Sequence, residues 1–478
     1  MYTDALLTDF YELTMAAGYL DHGKASDTAA FELYFRHNPF GGGYSIAAGL
    51  EPAVRAVVDC RFGGDDLGFL ERQETPEGKP VFKRDFLDYL ASYRFRGRLR
   101  AVAEGTVVFP NEPLVQASGT LIECQIIESI LLCHINFQTL LATKAARIWE
   151  ASNQGTIIEF GLRRAQGPDG ALSACRAAYI GGVESTSNVL GSARLEMPAR
   201  GTHAHSWIQS FDSELEAFRA YARTFPDTCI LLVDTYDTLK SGLPNAIRVA
   251  KELEREGHRM AGIRIDSGDL AFLSREAREM LDRESLSYVR IVVSNELDES
   301  VISGILSQGG RVDAWGVGTR LVTGAGTGGC ALGGIYKLVE HNGRPKIKLS
   351  SNPEKMTNPG LKKIVRFYNC DGVMEADALA DSSEDLCRGE VVIVDPNNPL
   401  RRKKIDSPLR EELLHPVVEN GEVVYAFPPL GQIRNRRKEQ LSRLHPSHRR
   451  IDNPHEYKVG LTQKLWLQKE RMLNQETL

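Results

Sequence analysis

The sequence predicts an α/β fold built around a barrel-like parallel sheet. Five short apolar runs follow residue 155, and each ends in a cluster of polar residues. The runs alternate with stretches of helical periodicity, which is the pattern of βαβ units and a parallel sheet. The active sites of such barrels lie at the carboxyl ends of the strands, and every one of these polar clusters follows the carboxyl end of a predicted strand. The runs span residues 157–161, 230–233, 261–265, 289–293 and 312–317.

The length and composition indicate a folded protein of several domains. A chain of 478 residues exceeds what one core usually covers, and 42% hydrophobic with 25% charged residues is ordinary for a globular protein. The formal charge of -5 gives no overall electrostatic argument for binding nucleic acid. We expect an N-terminal α+β domain over residues 1–130, an α/β barrel catalytic domain over 131–355 and a C-terminal region over 356–478.

The cysteines and the N-terminal residues suggest a cytoplasmic protein. Eight scattered cysteines without a C-x-x-C pair suit reduced, mostly buried thiols better than a disulfide or zinc framework. The first residues carry no basic segment followed by a long apolar run, so no signal peptide is expected. No apolar window is expected to reach the length of a membrane span. Retention in the cytoplasm is the expectation that follows.

The first third of the chain is predicted to mix helices and strands. Asp9 precedes a helical apolar pattern, and Tyr11 lies in the first turn of that helix. On residue type alone, Tyr11 is more often a packing or interface tyrosine than a ligand contact. The pattern continues with a strand over residues 29–36, a β unit over 98–117 and helices over 122–149.

The chain after residue 319 is predicted to return to β structure. Residues 336–349 indicate a β ribbon that turns at Asn342 and Gly343, and residues 391–395 indicate a strand. Two basic runs, at 401–404 and 434–438, are interpreted as solvated faces rather than nucleic-acid sites because the total charge is acidic.

His203 and His205 stand two residues apart among small polar residues. At the end of a strand such a pair matches a metal-ligand pattern, but a barrel metal site needs further imidazoles or a lysine from later strands. The next histidines, His258 and His341, end no predicted strand. Two structural histidines, or one imidazole that works as a base or nucleophile near its ordinary pKa, therefore stay open as the better interpretations.

Arg264 and the residues after it indicate a site for an anion. Arg264 interrupts an apolar run, and an arginine that points from a strand into a barrel requires an anionic partner. The carboxylates of Asp266 and Asp269 suit sugar hydroxyls or Mg²⁺ held through water, although Asp269 alternatively caps the next helix. Glycine-rich stretches after the last predicted strand, with Arg163 and Arg164, add groups that bind phosphate. The residues alone thus predict an α/β enzyme for a phosphorylated, anionic small molecule.

Five motifs, in the same order along the chain, resemble those of the nicotinate phosphoribosyltransferases. They extend from residue 8 to residue 319, and their joint occurrence is specific where each motif alone is weak. A further segment, GIYKL at 334–338, continues the resemblance. The five motifs are TDFYELTM at 8–15, GLRRAQG at 161–167, GTHAHS at 201–206, IRIDSGD at 263–269 and GVGT at 316–319.

The resemblance implies an activity and a fold. Members of this family make nicotinate mononucleotide from nicotinate and phosphoribosyl pyrophosphate in NAD salvage, with release of pyrophosphate and with ATP hydrolysis coupled through a phosphohistidine. The implied fold is of the type II phosphoribosyltransferase kind, an irregular α/β barrel with an additional α+β domain formed mainly by the N-terminal region and a C-terminal extension. Mg²⁺, ATP as a co-substrate and a homodimer with a shared active site are further implications.

The resemblance also implies roles for individual residues. His205 matches the phosphorylated histidine, and Arg264 matches the partner of the nicotinate carboxylate. Tyr11 and Thr202 match contacts to nicotinate, and no side chain is assigned as a direct metal ligand. The residues expected beside the phosphoribosyl donor are Thr319, Arg163, Arg164 and Asp266.

Three alternatives remain open from the sequence. The first is a nicotinamide-specific phosphoribosyltransferase, although such relatives carry an acid where this chain has His203. The second is a metal-dependent barrel hydrolase that uses the histidine pair. The third is a regulator that kept the pocket and lost catalysis.

Overall fold

The computed structural model describes residues 4–476, and the chain forms two compact units. The central unit, Leu141–Cys330, is one uninterrupted stretch. The outer unit combines Met1–Leu140 with Ala331–Leu478, so the chain leaves this unit and later returns to it.

The helices of both units are numbered in chain order. They are α1 (Phe10–Asp21), α2 (Leu50–Asp59), α3 (Gly64–Glu71), α4 (Arg84–Ala91), α5 (Leu121–Ile126), α6 (Glu128–Ala151), α7 (Gly167–Gly181), α8 (Val189–Leu195), α9 (His205–Gln209), α10 (Glu214–Thr224), α11 (Leu243–Arg255), α12 (Leu270–Arg283), α13 (Glu299–Ser307), α14 (Thr319–Val322), α15 (Leu430–Arg443) and α16 (Gln463–Glu476).

The strands are numbered in the same way. They are β1 (Thr28–Tyr34), β2 (Ser45–Ile46), β3 (Arg98–Val102), β4 (Val107–Val108), β5 (Val115–Thr120), β6 (Thr156–Glu159), β7 (Ser185–Thr186), β8 (Ile230–Leu232), β9 (Gly262–Ile265), β10 (Arg290–Ser294), β11 (Ala314–Val317), β12 (Ile335–His341), β13 (Arg344–Pro345), β14 (Lys362–Tyr368), β15 (Met374–Asp381), β16 (Val391–Val394), β17 (Arg402–Ile405), β18 (Leu409–Glu412), β19 (Leu414–Glu419), β20 (Glu422–Val423) and β21 (Val459–Thr462).

The central unit contains one six-stranded sheet in the order β7-β6-β11-β10-β9-β8. Each neighbouring pair is parallel, and helices cross over between successive strands. Strands in such sheets are buried on both faces, which is why they are continuous apolar runs in the sequence. The five runs predicted as strands are therefore confirmed, as β6, β8, β9, β10 and β11.

The two edge strands of this sheet, β7 and β8, both contact the segment of residues 198–203. On one side, the backbone N–H of Thr186 donates to Pro198 O at 3.1 Å, and Arg200 N–H donates to Thr186 O at 2.9 Å. On the other side, the backbone N–H of Leu232 donates to a side chain, Nε2 of His203, at 3.2 Å. The segment that carries the histidine pair is thus attached to both edges of the sheet.

The outer unit contains two larger sheets. One has seven strands in the order β13-β12-β1-β5-β3-β19-β20, and the other has six in the order β17-β16-β21-β15-β14-β18. Strand β12 pairs antiparallel with β1, and β19 pairs antiparallel with β3. The ribbon predicted after residue 336 is present, with φ of 49° at Asn342 and 68° at Gly343 in its turn. Its second arm, β13, has only two residues, Arg344–Pro345, so residues 346–349 of the predicted ribbon form no strand.

The sequence-based domain boundaries near residues 130 and 355 differ from the unit boundaries. Residues 331–355 fall in the outer unit because β12 completes a sheet that the N-terminal strands begin. The division into three regions stays a prediction.

Two expectations from the sequence are corrected, one about the length of apolar segments and one about the burial of the cysteines. The stretch Leu121–Ala151 is long and apolar enough to span a membrane by length and composition, contrary to expectation. An 18-residue apolar window within it is 67% buried inside the protein, as expected of a core helix. The eight cysteines are free, but four of them (Cys133, Cys330, Cys370 and Cys387) are exposed rather than buried.

Candidate active site

Arg264, in β9, is the centre of a polar cluster at the carboxyl end of the central sheet. Its Nε donates to Ser294 Oγ at 2.8 Å, and its Nη1 donates to Thr202 Oγ1 at 3.1 Å. Its Nη2 lies 3.0 Å from Asp266 Oδ1, and the guanidinium carbon lies 5.3 Å from the centroid of the Phe160 ring. Asp266 is therefore paired with Arg264 inside the protein and supplies part of the anionic environment that a strand arginine requires.

Asp266 joins the arginine to the histidine. Its Oδ1 contacts Arg264 and also accepts a hydrogen bond from the hydroxyl of Ser294. Its Oδ2 lies 4.0 Å from Nε2 of His205. Asp269, by contrast, caps α12, since its Oδ1 accepts from the backbone N–H of Phe272 at 3.0 Å. Of the two carboxylates singled out from the sequence, only Asp266 belongs to the cluster.

Asp234 supports this arrangement from the end of β8. Its Oδ2 accepts from the backbone N–H of Asp266 at 3.0 Å and from the hydroxyl of Ser267 at 2.6 Å. Its Oδ1 is buried and has no hydrogen-bond partner among the described residues. The turn after β9, and with it the carboxylate of Asp266, is thereby fixed against the neighbouring strand.

His205 is the first residue of α9 and is accessible to a substrate. Its Nδ1 lies 3.1 Å from Thr235 Oγ1, and Nε2 faces Asp266. The side chain is 42% exposed. A carboxylate on one side and an open face on the other allow this imidazole to act as a nucleophile or base.

His203 is in a different environment. It is buried, and its ring packs edge-on against Tyr221 with the centroids 4.7 Å apart. Burial lowers the pKa of His203 to about 4, so the ring is neutral near pH 7. Its Nε2 lone pair is engaged by the backbone N–H of Leu232. His203 is thus a structural histidine.

His203 and His205 do not lie together at the end of a strand. Residues 201–204 form no strand, and α9 begins at His205 after an extended Ala204 with φ of -102° and ψ of 169°. The change from extended to helical backbone at this point turns the two rings apart. Spacing alone cannot reveal it, since alternation of faces holds only within a regular strand.

Thr319 follows β11 at the same end of the sheet and is the first residue of α14. Its hydroxyl donates to Glu296 Oε1 at 3.2 Å. Because β10 pairs with both β11 and β9, Thr319 stands two strands away from Arg264. The structure therefore places Thr319 at the same end of the sheet as the Arg264 cluster, without a direct contact to it among the described residues.

Arg163 and Arg164 lie in a short 3-10 helix that follows β6, Leu162–Arg164, and both are exposed. The turn before them is fixed by Glu159, whose carboxylate accepts from the backbone N–H of Gly161 and from the hydroxyl of Thr186. Burial raises the pKa of Glu159. Neither arginine has an ion pair within residues 4–476, so both side chains are free to meet an anion.

Tyr11 belongs to the outer unit, and its described contacts lie there. It is about half exposed, and burial together with the Glu128 carboxylate raises the pKa of its hydroxyl. Its neighbour Glu12 is fully buried and anchors α1, because its Oε1 accepts from the backbone N–H of Ser129 at 3.1 Å. The role expected for Tyr11 stays a prediction.

Three members of the cluster were not singled out from the sequence. Ser294 and Asp234 are each the first polar residue after a predicted strand. The same position after a strand marked Asp266, so both could have been found from the sequence. Phe160 gave no such signal, because an aromatic residue inside an apolar run is indistinguishable from a core residue. Its ring lies where a β-carbon on Gly316 would come within 2.5 Å of it.

The cluster combines a guanidinium, an aromatic face, hydroxyls and an accessible imidazole beside a carboxylate. The guanidinium and the ring suit an aromatic acid, since arginine binds carboxylates and stacks on aromatic faces. The imidazole can act as a nucleophile that accepts a transferred group. A cleft of about 1050 Å³ lies in the outer unit, but none of the residues that the resemblance assigns line it.

Known protein families match the chain along most of its length. Residues 6–136 match the nicotinate phosphoribosyltransferase N-terminal domain, residues 156–372 match the nicotinate phosphoribosyltransferase family and residues 361–469 match the nicotinate phosphoribosyltransferase C-terminal domain.

Individual relatives are similar over nearly their whole length. The chain is 40% identical to a nicotinate phosphoribosyltransferase of Bacillus subtilis, over 98% of this chain and 95% of the relative. It is 39% identical to one of Dictyostelium discoideum, over 96% and 87%. The crystal structure of human nicotinic acid phosphoribosyltransferase superposes with a TM-score of 0.85 at 33% identity, covering 97% of this chain and 99% of that one. The expected fold, an irregular α/β barrel with an additional α+β domain, is confirmed.

Proposed function

The chain belongs to the nicotinate phosphoribosyltransferase family, and on that premise we propose that it couples the family's reaction to ATP hydrolysis through a phosphohistidine at His205. It has the type II phosphoribosyltransferase fold. The enzyme transfers the phosphoribosyl group of phosphoribosyl pyrophosphate to nicotinate and gives nicotinate mononucleotide and pyrophosphate, a step of NAD salvage.

The observation that carries the proposal is the position of Asp266 between two groups with different roles. One of its oxygens contacts the guanidinium of Arg264, and the other faces the imidazole of His205. A carboxylate-binding arginine above the Phe160 ring suits nicotinate, and the Thr202 hydroxyl on the same guanidinium suits a second contact to it. The histidine lies on the other side of the same carboxylate, where it would take the phosphoryl group.

The chemistry requires little proton transfer from the protein. The ring nitrogen of nicotinate carries a free lone pair, which forms the bond to C1 of the ribose as the bond from C1 to pyrophosphate breaks. Positive charge develops on the sugar and negative charge on the leaving group, so the protein contributes position and electrostatic stabilisation. Thr319, Arg163 and Arg164 are the groups we assign to the donor's phosphates.

The coupling step uses His205. Its imidazole attacks the γ-phosphorus of ATP, the bond to ADP breaks, and water later cleaves the phosphoramidate to release phosphate. Asp266 stabilises the imidazolium character that develops during the attack. The phosphorylated state adds an energetic drive toward the nucleotide product.

Mg²⁺ suits this site as an ion that arrives with the substrate phosphates. No group of three or more His, Cys, Asp or Glu side chains within residues 4–476 is placed to hold a metal. Mg²⁺ usually binds through one or two carboxylates together with phosphates and waters. Asp266 is the carboxylate of the cluster that would hold it. Bound there, Mg²⁺ supplies neutralisation of charge on the leaving pyrophosphate.

Product analysis tests the proposal. Wild-type protein is incubated with phosphoribosyl pyrophosphate and Mg²⁺, with nicotinate or nicotinamide, and with or without ATP. We expect nicotinate mononucleotide, more of it with ATP, and ADP formed in step with product. Preference for nicotinamide would establish the alternative phosphoribosyltransferase instead, and product formation indifferent to ATP would remove the coupling.

Assembly and location belong to the same proposal. We propose a cytoplasmic homodimer with a shared active site, and sedimentation at micromolar concentration tests the dimer. Mixing inactive Arg264 and Tyr11 variants tests the sharing, because only a shared site restores activity in the mixed dimer.

A further inference from the structure

The backbone N–H of Leu232 is a buried donor at the edge of the central sheet. Leu232 is 1% exposed and lies in β8, the last strand of the sheet order. The next residue, Val233, donates its N–H to Arg264 O on β9 at 3.0 Å. Because successive residues of a strand direct their N–H groups to opposite edges, the Leu232 N–H faces away from β9. A buried N–H without an acceptor is costly, so something must accept this hydrogen bond.

The acceptor is the side chain of His203, with Nε2 at 3.2 Å. An imidazole accepts only through an unprotonated nitrogen, so this ring must be neutral with its proton on Nδ1. Packing against Tyr221 holds the ring in place, and its burial keeps it uncharged near pH 7. The imidazole thus takes the position that a backbone carbonyl of a neighbouring strand would occupy.

Thr202, the residue before His203, contacts β9, the strand next to β8. Thr202 accepts from Arg264 Nη1 at 3.1 Å and donates to the carbonyl of His203 at 3.2 Å. Leu232 and Arg264 are paired across β8 and β9. The consecutive loop residues 202 and 203 therefore contact Arg264 and Leu232, which are paired with each other on neighbouring strands.

We propose that His203 is a positioning residue, which anchors the loop to β8 and thereby holds the Thr202 hydroxyl against Arg264 in the nicotinate site. This inference rests on the proposed function for the identity of the ligand. It gives the two histidines of the motif different roles, because His203 sets the affinity for the aromatic acid whereas His205 carries the phosphoryl group.

Two variants of one position test the inference. His203→Leu fills similar space without an acceptor, whereas His203→Gln places a carbonyl oxygen near the position of Nε2. We expect His203→Leu to raise the KM for nicotinate about tenfold, as loss of one contact to a charged group does, with the KM for the phosphoribosyl donor unchanged within about twofold. His203→Gln should restore most of the nicotinate affinity, and labelling of His205 by ATP should persist in both.

A readout without substrate accompanies the kinetics. The backbone amide of Leu232 should exchange its hydrogen faster in His203→Leu than in the wild type, and at nearly the wild-type rate in His203→Gln. If His203→Leu does not fold, His203→Asn takes its place, because its shorter side chain holds the oxygen too far from Leu232.

The outcomes separate this inference from the proposed function. Equal nicotinate KM in the acceptor and non-acceptor variants, or an equal rise in both substrates' KM values, would overturn the positioning role. Unchanged exchange at Leu232 would overturn the hydrogen bond itself. Wild-type protein that fails to convert nicotinate contradicts the proposed function alone, since the exchange measurement still decides the anchoring contact.

Discussion

Arg264 carries the most direct prediction at the scale of one residue. Arg264→Lys should lower kcat/KM for nicotinate by about 10- to 100-fold, because a lysine ammonium cannot replace a planar fork that contacts both the ligand and its neighbours. The KM for phosphoribosyl pyrophosphate should change by less than about threefold. Steady-state kinetics with each substrate varied in turn measures the difference.

The control for this variant is Arg290→Lys. Arg290 is also a strand arginine, at the exposed start of β10 and outside the cluster. It should leave both kinetic parameters unchanged. Because Arg264 also contacts Asp266 and Ser294, a lower melting temperature with equal losses for both substrates would show that its role is structural rather than ligand binding.

His205 carries the second prediction at this scale. Incubation with γ-labelled ATP should give an acid-labile, base-stable label, and His205→Ala should abolish both the label and ATP hydrolysis. Nucleotide formation should persist at a reduced level, because the transfer to C1 needs no proton from histidine. Label retained in His205→Ala and lost in His203→Ala would reverse the assignment, and label retained in both would remove the phosphohistidine.

At the scale of elements, β11 controls the aromatic face of the site. A β-carbon on Gly316 would lie 2.5 Å from the Phe160 ring, which has the Arg264 guanidinium on it. Gly316→Ala should therefore displace Phe160 and weaken nicotinate binding by about tenfold or more, since a ring cannot yield by that much without moving Arg264. Steady-state kinetics with nicotinate varied measures the loss of affinity.

Gly304→Ala is the matched control for this substitution. Gly304 lies in α13, where an added β-carbon meets nothing within 4 Å, so alanine there should leave affinity unchanged and slightly raise stability. Wild-type affinity in Gly316→Ala would show that Phe160 is not part of the nicotinate site.

The elements that could be predicted from sequence are those with strong periodicity. Helix α12 was predicted to follow Asp269, because its apolar pattern is regular and Asp269 caps it. Strand β7 escaped prediction because two residues produce no periodicity, and the short helix α9 escaped for the same reason. The different environments of His203 and His205 could not be predicted for this reason, since α9 begins at His205.

In the second sheet of the outer unit, β16 was predicted as the strand over residues 391–395, but the other strands escaped for another reason. Its strands pair across long distances in the sequence, such as β15 with β21, and no local pattern encodes such a partner. The active-site cluster was predicted as a location because the carboxyl ends of parallel strands coincide. The hydrogen bonds of the cluster could not be predicted. Whether Ser294 or Asp234 contacts the cluster depends on the register between neighbouring strands.

At the scale of the whole molecule, stability should fall as pH falls from about 6.5 to about 4. Burial lowers the pKa of His203 from 6.5 to about 4 in the folded state, and the nearby charges of Arg264 and His205 add to this. In that window the unfolded chain binds a proton that the folded chain does not, so the free energy of unfolding decreases by up to roughly 3 kcal/mol. Above pH 6.5 this contribution is constant.

Urea unfolding of the wild type and His203→Gln between pH 4.5 and 7.5 measures this contribution. Other groups titrate in both proteins, so the difference between the two curves isolates His203. The glutamine variant should show the flatter dependence, and parallel curves would contradict the assignment of a neutral, buried imidazole.

The discontinuous outer unit has a consequence for synthesis on the ribosome. Strand β1 ends at residue 34, and its partner β12 begins at residue 335, so the 300 residues 35–334 are translated between them. At ~5–20 residues per second this takes roughly 15–60 s, during which one edge of β1 has no strand to pair with. The central unit is complete in sequence by residue 330, before that edge is covered. Throughout this interval the uncovered edge of β1 is open to pairing with other chains.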